Sequence, residues 1–307
     1  MKSGTVIYIS NENISVVTAE AKRDVLRVVD YFQIPLKEGT MLNGVIIDEN
    51  EMKRSLKTVY DRGVHETCLI VDSAKILAKA ASVPKMRESE ILQFVKDELS
   101  AIDSNSEDIV YDFAYLGDDD SAKGASKIFC VGVERQFIGS YLTLFEEVGI
   151  RVIAIDYAIN VLISLVNELS GFLDKTYAVC QVDGQNLISV LFMNNEYALT
   201  NRSRIFANRG TTDFENEVIN AISQLKQFAS SSHQNLPMSD IYFFGLKHGE
   251  EIQLFERVRL SLNLTVGRLP NSKAIYAVKN NTHQFDVNDY AYPIGYLKRK
   301  WGRHYVF

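Results

Sequence analysis

Proline is scarce in this chain, with 5 residues in 307, and glycine follows with only 17. That excludes a collagen-like repeat and a Pro/Gly-rich low-complexity polymer. Cysteine occurs three times, at Cys68, Cys130 and Cys180. Each sits inside an apolar run (Thr67-Cys68-Leu69-Ile70-Val71, Ile128-Phe129-Cys130-Val131, Ala178-Val179-Cys180) without the short spacing of a metal site, so all three read as buried strand thiols. No apolar stretch reaches the roughly 20 residues of a membrane span and no charged-then-apolar leader opens the sequence, which makes a reduced, cytoplasmic protein the expectation. Surplus positive charge is missing too: 33 Lys and Arg against 39 Asp and Glu leave −6. A surface that tracks nucleic-acid phosphates as a whole is thereby disfavoured, and no nucleic-acid partner is expected.

What is present is core-forming material, 46% hydrophobic against 23% charged residues, the balance of a chain that buries a core. At about twice the usual domain size of roughly 150 residues, two similar lobes or one domain with a large insertion are the natural layouts.

Periodicity divides the chain. Three extended segments open it, Thr5 to Ile9, Ile14 to Thr18 and one around Val25 to Tyr31. From Glu49 to Arg62 the apolar positions Met52, Leu56, Val59 and Tyr60 share a helical face and Gly63 ends it. Cys68 to Val71 reads as a buried strand. Ile76 to Val83 (strand), Glu88 to Leu99 (helix), and Ile109 to Leu116 and Lys127 to Glu134 (strands) follow, with Gly117 to Gly124 between the last two as a solvated turn; Asp118-Asp119-Asp120 within it resembles a metal site only superficially. Helix Gln136 to Val148, strand Arg151 to Ile155 and helix Tyr157 to Leu169 lead to Ser170-Gly171, the best domain boundary. The opening pattern then returns: strands Thr176 to Val182, Leu187 to Met193 and Tyr197 to Ile205, joined by the turn dipeptides Asp183-Gly184 and Asn194-Asn195. Helix Thr212 to Ala229 has Phe214, Val218, Ala221, Ile222, Leu225 and Phe228 on one face, with Thr212 and Glu215 as a capping box. Strand Ile241 to Phe244, helix Glu250 to Leu260 and strand Leu264 to Val266 complete the second half. Each half thus reads β-β-β-α-β-α-β, interrupted in the first by a small insertion. Such a duplication predicts two α/β lobes across a cleft, with the first turn of each lobe, Ile9 to Ile14 and Asp183 to Leu187, pointing into it, where backbone N–H groups can meet a phosphate.

Four stretches carry a family likeness: Asn43-Gly44-Val45-Ile46-Ile47-Asp48 ahead of a helix; Val83-Pro84-Lys85-Met86 followed by Asp108-Ile109-Val110-Tyr111-Asp112-Phe113 and Leu116-Gly117; Phe145-Glu146-Glu147-Val148-Gly149-Ile150 through Ala154-Ile155-Asp156; and Tyr290-Ala291-Tyr292-Pro293-Ile294-Gly295. In this order the chain resembles the PilM family of type IV pilus assembly proteins, within the actin/Hsp70/sugar-kinase superfamily, with FtsA as a more distant relative. The resemblance implies an α/β, actin-like (ribonuclease H-like) duplicated fold: a first lobe over 1–170 with an inserted subdomain at about 75–134, a second lobe over 171–270, and a C-terminal segment, 271–307, returning to the first lobe and ending in a basic-aromatic tail. It also implies a nucleotide site, and there the sequence departs from the pattern. Tyr8-Ile9-Ser10-Asn11-Glu12-Asn13 stands where the first phosphate loop belongs, with Tyr8 in place of the magnesium-organising aspartate, Ser10 in place of a glycine, and Glu12 adding charge that repels phosphate. The second loop keeps Asp183 and Gly184, which an ordinary Asp-Gly turn equally explains. Asn208-Arg209-Gly210 replaces one Gly-Gly, and Phe244-Gly245-Leu246 replaces the adenosine motif with side chains that would crowd a base. Ser10, Asn11, Asp183, Gly184 and Gly245 are therefore candidates for a vestigial site; weak or absent ATP binding and no hydrolysis are expected, with ATP and magnesium at a degenerate site the open alternative and no cofactor firmly implied. His65, His233, His248, His283 and His304 have no catalytic spacing.

Three functions compete. The resemblance implies a cytoplasmic scaffold of a type IV pilus or type II secretion-like assembly that grips the short tail of a bitopic, PilN-like inner-membrane protein, in a groove between the first lobe and its insertion, with the pilus motor ATPase as a further partner and self-association open. An active actin-like ATPase or sugar kinase is the second. An FtsA-like filament tethered peripherally to the membrane is the third, through the candidate interface residues Lys298, Arg299, Lys300, Trp301 and Arg303, for which a solvated C-terminus is the alternative.

Overall fold

The computed structural model describes residues 3–22, 25–102, 108–119, 124–169, 172, 175–232, 237–270, 276–278 and 285–302. The chain begins as an antiparallel meander, β1 (Ser3–Ile9), β2 (Asn13–Lys22) and β3 (Val25–Pro35). A two-residue ribbon follows, β4 (Met41–Leu42) with β5 (Val45–Ile46), then α1 (Glu49–Asp61) and β6 (Glu66–Val71). The insertion is β7 (Leu77–Pro84), α2 (Glu88–Ser100), β8 (Ile109–Asp119) and β9 (Ala125–Glu134). The first half closes with α3 (Arg135–Val148), β10 (Arg151–Tyr157) and α4 (Ala158–Glu168). The second repeats the meander as β11 (Tyr177–Asp183), β12 (Asn186–Met193) and β13 (Glu196–Arg204), continued by α5 (Thr212–Ser232), β14 (Asp240–Phe244), α6 (Glu250–Leu262) and β15 (Thr265–Arg268). A short strand β16 (Tyr276–Val278) and helix α7 (Ala291–Gly302) end it.

Two mixed sheets result, ordered β10-β6-β1-β2-β3-β16 and β13-β12-β11-β14-β15. In each, the meander supplies antiparallel pairs and the helical crossovers add parallel strands. Near-continuous burial along β1, β6 and β11 is what strands covered on both faces require. The period of two decides where each face goes. On β11, Ala178, Cys180 and Val182 pack with Phe214, Val218, Ile222 and Leu225 of α5, forming the core of the second lobe. Tyr177 and Val179 point the other way, with Ile188, Val190 and Phe192 of β12, into a core shared with the first sheet, α4 and α7. The two lobes are therefore fused through one apolar interior. All three cysteines are buried and free, as expected.

The insertion is a three-stranded sheet, β7-β9-β8, with α2 on one face over its own small core of Val83, Ile91, Val95, Leu99, Ile128 and Cys130. Its opposite face reaches both lobes. Phe129 stacks on Tyr157 of β10 with ring centroids 6.1 Å apart and meets Tyr197 of β13 edge-on at 5.0 Å, while Lys127 pairs with Glu196 at 2.5 Å.

Local differences from the sequence reading have physical causes. The cap of α5 is Thr211, whose hydroxyl accepts from the Phe214 N–H at 3.2 Å. The expected capping partner Glu215 instead reaches Arg257 of α6 at 2.5 Å, a tertiary charge overriding a local motif. Phe228, placed on the buried face, is 46% exposed. Asp183 pairs with Asn186, so the two-residue turn is Gly184-Gln185, one position later than expected; Asn194 and Asn195 (φ 53° and 62°) form the other turn as foreseen. Strand β8 runs on to Asp119, which is buried, so the solvated turn begins later; Asp120 lies outside the described residues, and among those described no group of three metal-binding side chains exists. β16 was not foreseen, since three residues carry no period. Ser170 and Gly171 lie outside the described residues.

Candidate functional site

The two first turns do meet, and they close on each other. Asp183, at the end of β11 and 6% exposed, accepts the Asn11 backbone N–H on both carboxylate oxygens at 3.0 Å and the Asn11 side-chain amide at 2.7 Å. Burial pushes the Asp183 carboxyl up to about 6, and the negative charges of Glu12 and Asp72 add to this against the lowering effect of the Asn11 bonds. Ser10 Oγ accepts from the N–H groups of Glu12 and Asn13, so this hydroxyl caps its own turn. The Gly184 backbone helps to lower the Glu12 carboxyl, and a Cβ at Gly184 would stand 3.7 Å from Asn11 Cβ.

Glu12, expected to repel phosphate, is occupied by cations of the second lobe. Burial alone would raise its carboxyl; Arg209 and Lys247 overcome this and hold it below the ordinary value. Arg209 lies in the loop between β13 and α5 and is a hub. Its Nη1 donates to Glu12 at 2.6 Å, its Nε and Nη2 form a fork on Glu250 at 3.0 and 2.6 Å, and Nη2 also reaches the Gly245 carbonyl at 2.8 Å. Lys247 adds a second contact to Glu12 at 3.0 Å. Planar bidentate geometry of this kind is what arginine offers and lysine does not. Gly245 (φ 75°) lies against the Val182 carbonyl, where a Cβ would come within 2.3 Å, so this glycine serves close backbone packing.

Beneath the clasp the lobes share buried hydrogen bonds. Gln181 of β11 donates to the Tyr8 hydroxyl at 3.0 Å and accepts from the Tyr292 hydroxyl of α7 at 2.7 Å. The Tyr8 and Tyr292 rings lie 4.5 Å apart, and Phe244 meets Tyr292 edge-on. Burial raises both phenols far above their usual range, so they act as neutral donors and acceptors. Tyr8 thus puts an aromatic ring and a neutral hydroxyl where a metal-organising aspartate was sought. Leu246, expected to crowd the cleft, packs instead against the second lobe's core. At the far side Arg202 of β13 holds Asp72, just after β6, at 2.5 and 2.9 Å and also donates to the Tyr157 hydroxyl. The cavity left between these groups, lined by Tyr8, Asn11, Asp72, Asp183 and Arg202, is about 210 Å³, below the roughly 300–1,000 Å³ of ordinary ligand sites.

Sequence reasoning therefore found Ser10, Asn11, Asp183, Gly184 and Gly245, which the structure brings together, and missed the groups that close on them. Gln181 and Tyr292 give no local signal; Asp72, a carboxylate at the C-terminal end of a parallel strand, could have been found from that position alone. Of the proposed membrane tail, two side chains lie among the described residues. Lys298 is 8% exposed and faces Glu168 at 3.6 Å, and Arg299 pairs with Asp156 of β10, so both cations are turned onto the first lobe. The side chains of Lys300 and Trp301, and Arg303 altogether, lie outside the described residues, as do His233, His283 and His304.

No protein-family model matches the chain, and no curated protein does. Solved structures do. A chain of the PilM-PilN type IV pilus biogenesis complex superposes with a TM-score of 0.73 at 13% identity, covering 97% of both chains. A Bacteroides thetaiotaomicron protein with an actin-like ATPase fold and unknown function matches with a TM-score of 0.53 at 10% identity over 94% of both. The fold is thus actin-like and PilM-like, in agreement with the resemblance read from the sequence.

Proposed function

We propose that this chain is a PilM-like cytoplasmic scaffold, peripheral at the inner face of the cell membrane, that binds the short cytoplasmic tail of a PilN-like bitopic protein in a pilus or secretion assembly and does not hydrolyse ATP. The observation that carries this reading is the end-to-end likeness to a chain of the PilM-PilN complex, coupled with a cleft in which Asp183 holds Asn11 and Arg209 holds Glu12. A scaffold needs a groove and not phosphate geometry. The chain divides in this reading into lobes at 1–170 and 171–270, an insertion at 75–134 and a returning segment at 271–307.

For the groove we assign the space between the insertion and the first lobe. Tyr111 and Phe113 of β8 face α2, so Val110 and Ala114 face away from it. Val110 is 39% exposed, Leu142 of α3 39% and Ile153 of β10 45%. β10 is also an open sheet edge, able to hydrogen-bond an extended peptide. The test is a pull-down from detergent-solubilised membranes with the full chain as bait, repeated with Val110→Asp and Ile153→Asp. Recovery of one short-tailed bitopic protein, lost in the variants, supports the proposal. Recovery of none, with ATP turnover by the purified chain, replaces it with the enzyme reading.

A further inference from the structure

We infer that Arg209 is a built-in ligand of the interlobe cleft, holding the two lobes in one closed arrangement without a bound small molecule. In a two-lobed body with a cleft, closure ordinarily depends on a ligand that touches both sides and supplies the differential contacts. Here one guanidinium does so. It touches Glu12 on the first lobe and, on the second, Glu250 and the Gly245 carbonyl, all at 2.6 to 3.0 Å. Its side chain is only 11% exposed and that of Glu250 10%, so the charges face each other in a medium that screens them weakly. Both carboxylates and the cation come from the same chain, so their meeting is intramolecular and does not depend on the concentration of a free ligand.

The contacts around the hub point the same way. Asp183 grips the Asn11 backbone and side chain across the cleft. Lys247 reinforces Glu12 from the second lobe. Glu250 also accepts the Lys247 N–H at 2.8 Å, so the receiving carboxylate is oriented from within the second lobe. An arrangement that needed to open and close on a nucleotide would keep these positions free for phosphate; this one fills them with matched charge. The inference rests on the reading that the cleft does not take ATP, and is separate from partner capture.

Amide hydrogen exchange on the full chain tests it, reading the segments containing Asn11, whose N–H is held in the clasp, and Gly184, which lies against Asn11. Arg209→Ala is expected to accelerate exchange there by about tenfold or more, with segments of α2 in the insertion unchanged. Arg209→Lys keeps the cation but cannot reach Glu12, Glu250 and Gly245 together, and an intermediate acceleration is expected; this variant decides the matter if the alanine variant does not fold. Millimolar Mg-ATP added to the unaltered chain is expected to change nothing. Unaltered protection of both segments in Arg209→Lys and in any folded Arg209→Ala overturns the inference, as does a tenfold slowing by Mg-ATP. Membrane-protein capture is not read by this experiment, so its failure leaves the proposed partner standing.

Discussion

Replacing Tyr8 by Phe removes one oxygen from the seam between the lobes and changes almost no volume. In the native arrangement the Tyr8 hydroxyl accepts from Gln181 Nε2 at 3.0 Å, while Gln181 Oε1 accepts from Tyr292 at 2.7 Å. All three side chains are buried. The substitution leaves the Gln181 amide with a stranded donor, and an unsatisfied buried polar group costs about 1–3 kcal/mol. For a chain of this size each kcal/mol lowers the melting temperature by about 2–4 °C, so Tyr8→Phe is expected to melt roughly 2–12 °C lower. The triple replacement Tyr8→Phe, Gln181→Leu, Tyr292→Phe removes the partners together and is expected to recover most of that loss, because nothing polar is left unpaired. Differential scanning calorimetry on the three proteins reads this directly. If Tyr8→Phe melts with the unaltered chain, or the triple variant is the least stable of the set, the network is not what joins the lobes and the argument fails.

Three further outcomes follow from local geometry and charge. Gly44→Ala places a Cβ 1.9 Å from the Asp72 carbonyl at φ 78° and is expected to lose more than about 3 kcal/mol in urea titration, whereas Gly39→Ala, at φ 84° with nothing within 4 Å, is expected to lose only about 1 kcal/mol; equal losses would mean that the close approach is not a constraint. Thr211→Ala removes the observed cap of α5 and is expected to cost about 1 kcal/mol, with Thr212→Ala costing less than half of that; the reverse order would restore the capping box read from sequence. Asp183 keeps its proton in the fold up to about pH 6, above its ordinary value of 3.8. The native state therefore binds a proton that the unfolded chain has released, and stability from this group falls as pH rises through 6, by up to about 3 kcal/mol. Asp183→Asn, whose amide can turn its N–H toward the buried and otherwise unpartnered Asn11 Oδ1, is expected to gain on the unaltered chain between pH 5 and pH 8; a stability difference that does not vary with pH disproves the assignment.

Most of the architecture is legible in the sequence because it is written in short periods. The alternation along β11 and β12 and the helical stripe of α5 are set by which residues must leave water, and they specify both lobes and the insertion's strands. The candidate site is legible by its departures: Tyr8, Ser10 and Glu12 depart from the pattern of a phosphate loop, and the structure engages all three in contacts of the protein's own. What stays hidden is whatever depends on two distant segments at once. Thr212 and Glu215 satisfy a local rule, yet Glu215 meets Arg257, 42 positions away. Lys298 and Arg299 look like a basic tail until Glu168 and Asp156 are seen beside them. Arg209 reads as a lost glycine, and its role appears only when Glu12 and Glu250 arrive from either side.

The position of α7 has a kinetic consequence. Its Tyr292 hydroxyl bonds Gln181, a Cβ added at its Gly295 would stand 2.9–3.0 Å from Val161 and Leu165 of α4, and the turn before it meets Ser15, 274 positions back along the chain. During synthesis the first lobe must therefore wait, with α4's apolar face uncovered, until α7 has been made. Loop closure over such a separation is slow, and the half-made lobe is exposed to aggregation and proteolysis in the interval. Loss of α7 would remove little mass yet uncover Val161 and Leu165 of α4, so completion of the first lobe depends on a helix made after the whole second lobe.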